Sequence, residues 1–321
     1  MSAPGYARAM DLPSGYRYRR PTRDDLTGVA DLLVADELRE VGQVVMGEGF
    51  VRDEWSRAGF DPATDAWAVV DGAGGIVGYT QVMREEPEVL ESWGLVHPDH
   101  RGRGIGSWLF DVIERRADEL TVDQRSLRLR VAIDAGDRAA AAMLRARAMR
   151  PVRHFWHMQI DIAEALEPVP PPNGIAIVGI DVPSHLPAMH AVLDDAFREH
   201  WGYQPEPFDR WVEERTGSPS YDPTLWLLAI DGDEPAGALT ASVWDDRGWV
   251  NEVGVLATHR GRGIGAALLR QALATFAGRG VRRIILNVDS ENATGATALY
   301  ERVGMRVLRR WDLWERPSKF A

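Results

Sequence analysis

The spacing of apolar positions along the chain alternates between strand-like and helix-like periods, and the changes come twice in the same order. In the first half, residues 16–19 read as a short strand. Asp24 and Asp25 can cap a helix with Leu26, Val29, Leu32 and Leu33 on one face. Runs 67–70 and 76–83 are strand-like and flank Asp71-Gly-Ala-Gly-Gly75, a hairpin signal. A strand at 93–96 leads into a glycine-rich loop. Ile105, Leu109, Val112, Ile113 and Ala117 then stripe a helix. Residues 127–133 alternate apolar with Arg, 137–149 form an alanine-rich helix, and 154–162 read as a closing strand.

Consecutive prolines at 168 and 170–172 cannot enter a helix or a central strand, so 163–174 is expected to be a stiff linker. The pattern then starts again. Residues 175–180 read as a strand and 186–197 as a helix. Strands at 225–230 and 236–244 flank Asp231-Gly232. A strand at 249–255 enters a second glycine loop, and Ile264, Leu268, Ala272 and Phe276 stripe the next helix. A strand at 284–288, a short helix at 293–303 and a strand at 305–314 complete the half. The expected organisation is a loose tail (1–15), one α/β domain (16–162), the linker (163–174) and a duplicate domain (175–321). Each domain should be a mixed, mostly antiparallel sheet flanked by helices.

The repeat is literal at one place. His100-Arg-Gly-Arg-Gly-Ile-Gly106 recurs as His259-Arg-Gly-Arg-Gly-Ile-Gly265. Strand, glycine loop and helix start form a cradle for phosphate. The dinucleotide fingerprint does not fit, because it belongs at the first strand of a doubly wound sheet, and too little chain follows here. A nucleoside-triphosphate loop is excluded, since no Lys-Ser or Lys-Thr follows the glycines. An empty tight turn would explain one copy, but not the same arginines and glycines in both.

Composition narrows the partners. The 321 residues carry net charge −11, which argues against nucleic acid or an anionic membrane. Absence of cysteine excludes disulfides, thiolate metal sites and a cysteine acyl-enzyme. No metal site is expected. No apolar run approaches a membrane span and no signal-peptide core is present, so a cytoplasmic protein is expected.

Val255, Arg260-Gly-Arg-Gly-Ile-Gly265, Asn292 and Leu299-Tyr300-x3-Gly304-Met305 together resemble the GNAT superfamily of acyl-CoA N-acyltransferases. His97-Pro-Asp-His-Arg-Gly-Arg-Gly-Ile-Gly106 is similar to the same motif, and the tandem layout is similar to that of the mycothiol synthases. The resemblance implies acetyl-CoA as co-substrate. Its pyrophosphate would lie on backbone N–H groups of Arg260, Gly261, Arg262, Gly263, Ile264, Gly265 and Ala266. Its pantetheine arm would pair with Gly254, Val255 and Leu256. The resemblance also implies Tyr300 as the acid that protonates the CoA thiolate, and Asn292 as a contact to the pantetheine or diphosphate. Without it, Tyr300 reads as a core tyrosine and Asn292 as a helix cap.

The attacking amine needs a base. Glu252 is the carboxylate on the strand entering the loop, and it also reads as a solvated strand acid; Asp245 and Asp246 are further candidates. In mycothiol synthases the base glutamate would align with Trp249, so a different carboxylate is expected here. The first half keeps the loop as a possible second cofactor site of Leu95, Val96, Arg101, Gly102, Arg103, Gly104, Ile105, Gly106 and Ser107. By alignment, however, it has Trp93 for Glu252, Gly136 for Asn292 and Leu144 for Tyr300. Chemistry is therefore expected in the second half. Trp201, Tyr203 and Trp211 are candidates for an acceptor pocket, or for core. The expected activity is direct acetyl transfer to a primary amine of a small molecule or peptide. The alternatives are acetylation of a cysteinyl amino-sugar and non-catalytic binding of acetyl-CoA. A monomer is expected, the tandem repeat serving as an internal dimer.

Overall fold

A computed structural model describes residues 11–86, 88–121, 127–162, 170–180, 184–292 and 294–316. Most of the expected tail (1–10) and of the proline linker (163–169) lies outside the described residues. The chain forms two compact units. The first comprises Met1–Val51, Gly59–His154 and Arg310–Ala321; the second comprises Arg52–Ala58 and Phe155–Arg309.

In chain order the first half supplies β1 (Arg17–Arg19), α1 (Leu26–Glu40), α2 (Gly47–Ser56), α3 (Pro62–Asp65), β2 (Ala66–Val70), β3 (Ile76–Glu86) and β4 (Val89–Val96). It continues with α4 (Ile105–Thr121), β5 (Arg128–Asp134), α5 (Arg138–Ala146) and β6 (Arg150–Asp161). The second half supplies β7 (Ile175–Gly179), α6 (Leu186–Phe197), α7 (Phe208–Thr216), β8 (Leu227–Asp231), β9 (Glu234–Trp244) and β10 (Arg247–Val255). It ends with α8 (Ile264–Gly278), β11 (Arg283–Asp289), α9 (Ala296–Val303) and β12 (Arg306–Arg316).

In the second unit the strand order is β7-β8-β9-β10-β11-β6. All pairs are antiparallel except β10 with β11. The first unit repeats the plan as β1-β2-β3-β4-β5-β12, with β4 and β5 parallel. These are the mixed, mostly antiparallel sheets that the sequence pattern implies.

The compact units depart from the linear boundary at residue 162. Residues 155–161 of β6 pair with β11, and residues 311–316 of β12 pair with β5. Each sheet is therefore closed by a strand from the other half. Packing gives the reason. Met158 is fully buried in the core around α6 and α8, while Trp314 is buried with α4 and β5. Burying one such side chain is worth about 1.5–3 kcal/mol. The second unit also holds the end of α2. There Asp53 accepts from the Trp244 indole at 2.7 Å and from the Ser220 hydroxyl.

Candidate active site

The site begins with a defect in β10. Against β9 the register slips between Val250 and Glu252, so Asn251 is an extra residue, a β-bulge. Against β11 the pairing covers only residues 247–250. Past the bulge, the β11-facing edge of β10 has no strand partner among the described residues. The bulge also resets which way side chains point. A Cβ on Gly248 would meet Phe276 of α8 at 2.8 Å, whereas one on Gly254 would meet Ala196 of α6 at 2.8 Å. Six residues apart, these two would share a face in a regular strand. The extra residue puts Gly254 and Glu252 on the α6–α7 face.

Alternation along the paired strand decides which backbone groups are open. The Leu256 N–H donates to the Ala236 carbonyl at 3.1 Å, toward β9. Gly254 then also faces β9, and Val253 and Val255 face the open edge. The sequence reading named Gly254, Val255 and Leu256 for pantetheine. Of these, Val255 has its backbone groups on the open edge, as does Val253, whereas Gly254 and Leu256 face β9 and Gly254 packs beneath α6. The β-bulge, which sequence alone did not signal, makes the difference.

After β10 the chain turns through two glycines with left-handed backbones, Gly261 (φ 78°) and Gly263 (φ 84°). A side chain there costs roughly 1–2 kcal/mol. Gly263 is the N-cap of α8 and no side chain caps that end. The first intrahelical bond is Ala267 N–H to the Gly263 carbonyl, 3.0 Å. The N–H groups of Ile264, Gly265 and Ala266 are thus aimed out of the helix end, where an anion is favoured. Gly265 is needed for closeness, since a Cβ would lie 3.1 Å from Leu299 of α9 and 3.6 Å from Val255. The two arginines brace the loop from behind. Arg260 donates to the Val255 carbonyl at 3.3 Å and pairs with Glu199 at 2.9 Å; Arg262 pairs with Asp231 at 2.6 Å. Their side chains are held by the protein, so a pyrophosphate would be met by backbone.

Tyr300 lies on α9, which packs on α8, and it is buried. Its hydroxyl has no hydrogen-bond partner among the described residues. Burial pushes its phenol above the ordinary value of 10, so it stays protonated through neutral and mildly alkaline pH. Asn292 precedes α9. Its Oδ1 accepts the Thr294 N–H at 2.7 Å, forming a turn, while the N-cap of α9 is Gly295. That fixes the amide so that Nδ2 faces His200 Nε2 at 3.2 Å. His200 Nε2 must then accept, and the ring is neutral. Burial pulls its pKa down, with Asp289 opposing. The sequence pattern puts His200 in the acceptor segment with Trp201 and Tyr203; the structure sets its ring against Asn292.

On the opposite face Glu252 is held on both oxygens. Arg215 of α7 donates Nη2 to Oε1 at 3.0 Å and Nε to Oε2 at 3.2 Å, and the Thr240 hydroxyl reaches Oε2 at 3.0 Å. Asp245 and Asp246 pair with Arg247 at 2.8 Å each, in the turn that starts β10. That turn is about 20 Å along the strand from Glu252. Trp249 is buried against Trp244 and His157. Trp211 is not part of an open pocket. It is core, edge-on to Trp226 and His190, and the apolar spacing of α7 explains it. Tyr203 donates to Asp194 at 2.6 Å, and Trp201 is half-buried in the same loop.

The first unit shares the loop but not its surroundings. Gly102 (φ 74°) and Gly104 (φ 87°) repeat the turn, and Arg101 donates to the Val96 carbonyl at 3.4 Å. Beside that loop lies a cavity of about 410 Å³ bordered by Tyr16, His100 and Arg103. Here β3 and β4 pair without slippage from Gly78↔Val96 to Arg84↔Leu90. Trp93, in the Glu252 position, is wedged between Phe50 and Tyr79 at 5.5 and 5.1 Å. Leu144, in the Tyr300 position, is fully buried. Among the described residues no cluster of His, Asp or Glu could hold a metal, and no helix is long and apolar enough to cross a membrane.

A split parallel strand pair, a helix start open to an anion, a carboxylate on the α6–α7 face and a buried phenol on α9 fit an acyl-CoA-dependent transferase of the tandem kind. Comparison with known proteins agrees. Residues 186–305 match the family model described as acetyltransferase (GNAT) family, and residues 62–144 match one described as acetyltransferase (GNAT) domain. A mycothiol acetyltransferase of Streptomyces scabiei is 30% identical over 303 residues, 91% of this chain and 93% of that protein. One from Beutenbergia cavernae is 35% identical over 257 residues, covering 74% and 78%. The crystal structure of a GCN5-related N-acetyltransferase from Sphaerobacter thermophilus has a TM-score of 0.82 at 29% identity, covering 96% of this chain and 97% of that one. A tandem GNAT protein from the clavulanic acid pathway shares the fold, with a TM-score of 0.70 at 19% identity, covering 94% and 98%.

The chain belongs to the GNAT acetyltransferase family, in its tandem form. It is an N-acetyltransferase for which acetyl-CoA is the acyl donor and a small molecule the acceptor.

Proposed function

We propose that the second unit transfers the acetyl group of acetyl-CoA directly to the primary amine of a cysteinyl amino-sugar. The single observation that supports the domain assignment is that the second unit carries Glu252 on the α6–α7 face of β10 and a buried phenol, Tyr300, on α9, the helix packed on α8. The first unit has Trp93 and Leu144 there. The acceptor class is supported by the mycothiol acetyltransferases, to which the chain is similar over most of their length.

In this reading the pyrophosphate sits on the N–H groups of Ile264, Gly265 and Ala266. The pantetheine arm and thioester lie along Val253 and Val255, and one of their open N–H groups faces the carbonyl oxygen as it gains charge. The amine approaches from the α6–α7 face. Glu252 takes the proton that nitrogen loses as the N–C bond forms, directly or through one water. The C–S bond breaks, and Tyr300 gives its proton to the departing thiolate. Asn292, whose amide is held by Thr294 and His200, is assigned the contact to the pantetheine or diphosphate.

The test is incubation with acetyl-CoA and cysteinyl-glucosamine, followed by mass spectrometry, because the thiol of this acceptor confuses thiol reagents. An N-acetylated product that disappears with Glu252→Gln supports the reading. A second reading, a different small-molecule amine, is favoured by one observation: Trp249 stands where mycothiol synthases carry the base. Turnover of other amines with none of the cysteinyl sugar would select it.

A further inference from the structure

Arg215 has no part in the acetyl-transfer steps, yet all three of its guanidinium nitrogens are hydrogen-bonded. It rises from the last turn of α7, lies 5.0 Å over the Trp211 ring and is shared between two carboxylates. Two of its nitrogens serve Glu252; the third, Nη1, donates to Glu206 Oε2 at 2.9 Å. A carboxylate has about four acceptor positions. Arg215 and Thr240 fill three of those on Glu252, leaving one on Oε1. Glu252 can therefore accept one further proton contact, in a direction set by Arg215.

Glu206 closes the arrangement. It precedes α7, where its carbonyl takes a hydrogen bond from the His190 ring at 2.7 Å. Its carboxylate faces Arg215, Arg210 (3.9 Å) and Glu214, and Glu214 is itself paired with Arg210 at 2.8 Å. Glu252 faces Arg215 from α7 and Thr240 from β9. One guanidinium charge is thus divided between a carboxylate at the reacting strand and one away from it. Burial raises the pKa of the Glu206 carboxyl, and Arg215 opposes the rise.

We propose that Arg215 is a positioning residue for the deprotonation step, and that Glu206 tunes it by competing with Glu252 for the same guanidinium. This rests on Glu252 being the base. While Glu206 is ionised, Arg215 is shared between the two carboxylates; with Glu206 neutral, the whole positive charge bears on Glu252.

The two partners have opposite effects on the acid limb of the pH–rate profile. Glu206→Gln mimics the neutral form. It should move the limb down by about one pH unit and lower the plateau rate. Arg215→Met removes the cation and should move the limb up, with kcat reduced about tenfold or more. Arg215→Lys keeps the charge but not the fork, and should bring the limb back toward wild type. Each full-length variant is followed by loss of thioester absorbance with acetyl-CoA and cysteinyl-glucosamine, or with the best amine of a panel. Calorimetric acetyl-CoA affinity, expected to stay within about twofold, reports that the unit is folded. Should Arg215→Met not fold, Arg215→Lys and Glu206→Gln carry the test. Shifts in the same direction, or no shift, would overturn the proposal. A Glu252→Gln variant with wild-type turnover would instead overturn the base assignment on which it rests.

Discussion

Replacing Tyr300 by Phe removes one oxygen from a buried ring. The hydroxyl has no partner among the described residues, so no hydrogen bond to them is lost. Such a loss would ordinarily cost about 1 kcal/mol. Ring burial is kept, so the melting temperature should hardly move. The loop proposed to hold the cofactor, residues 260–266, is also untouched. The effect should fall on the transition state alone. A positioned acid is worth about 10²–10⁴-fold, or about 3–5 kcal/mol. The expected result is a kcat lower by that factor, with the acetyl-CoA dissociation constant within about twofold of wild type. Because burial raises the Tyr300 pKa, its ionisation does not set the alkaline limb, whose midpoint should be the same in both proteins. The assay is loss of thioester absorbance across pH, with calorimetry for affinity. Unchanged turnover, or a fall in kcat matched by lost affinity, would refute the reasoning.

Further outcomes follow from the same geometry. Gly263→Ala places a Cβ 3.6 Å from Pro172, an ordinary contact, so its cost is the left-handed backbone, about 1–2 kcal/mol. Acetyl-CoA affinity should weaken by about 5–30-fold with turnover impaired, whereas Gly104→Ala in the first unit should leave turnover unaltered. Met158→Ala, although in the first half of the chain, should destabilise the second unit by about 2–5 kcal/mol, seen by denaturant unfolding. Tyr300 also gives a linkage sign. Its folded pKa is raised, so its stabilising contribution is complete below pH 10 and is lost as pH rises above 10. Tyr300→Phe should flatten that alkaline part of the stability curve.

Much of this was legible in the sequence for physical reasons. The glycines of the two loops announce left-handed turns because other residues are strained there, and Gly261, Gly263, Gly102 and Gly104 all adopt them. Alternating and helical periods located β9, β10 and α8 within a few residues, since each buries one continuous face. What was not legible is nonlocal. β6 and β12 have the same position in their halves and similar patterns, so nothing local tells which sheet each will close. The bulge at Asn251 arises from the pairing of β10 with β9, and it alone decides that Val253 rather than Gly254 faces the gap. Arg215 and Glu206 look like ordinary surface charges in the sequence. Only the fold sets Arg215 between Glu206 and Glu252. Trp211, singled out as an aromatic near acids, was core, as the apolar spacing of its helix already allowed.

The most direct measurement is the mass of the acceptor after incubation of the full chain with acetyl-CoA and cysteinyl-glucosamine, run beside Glu252→Gln and Gly104→Ala. The expected result is one added acetyl group on the cysteine nitrogen, formed equally by wild type and Gly104→Ala and lost in Glu252→Gln. Product formation that survives Glu252→Gln but fails in Gly104→Ala would place the chemistry in the first unit and contradict the central claim.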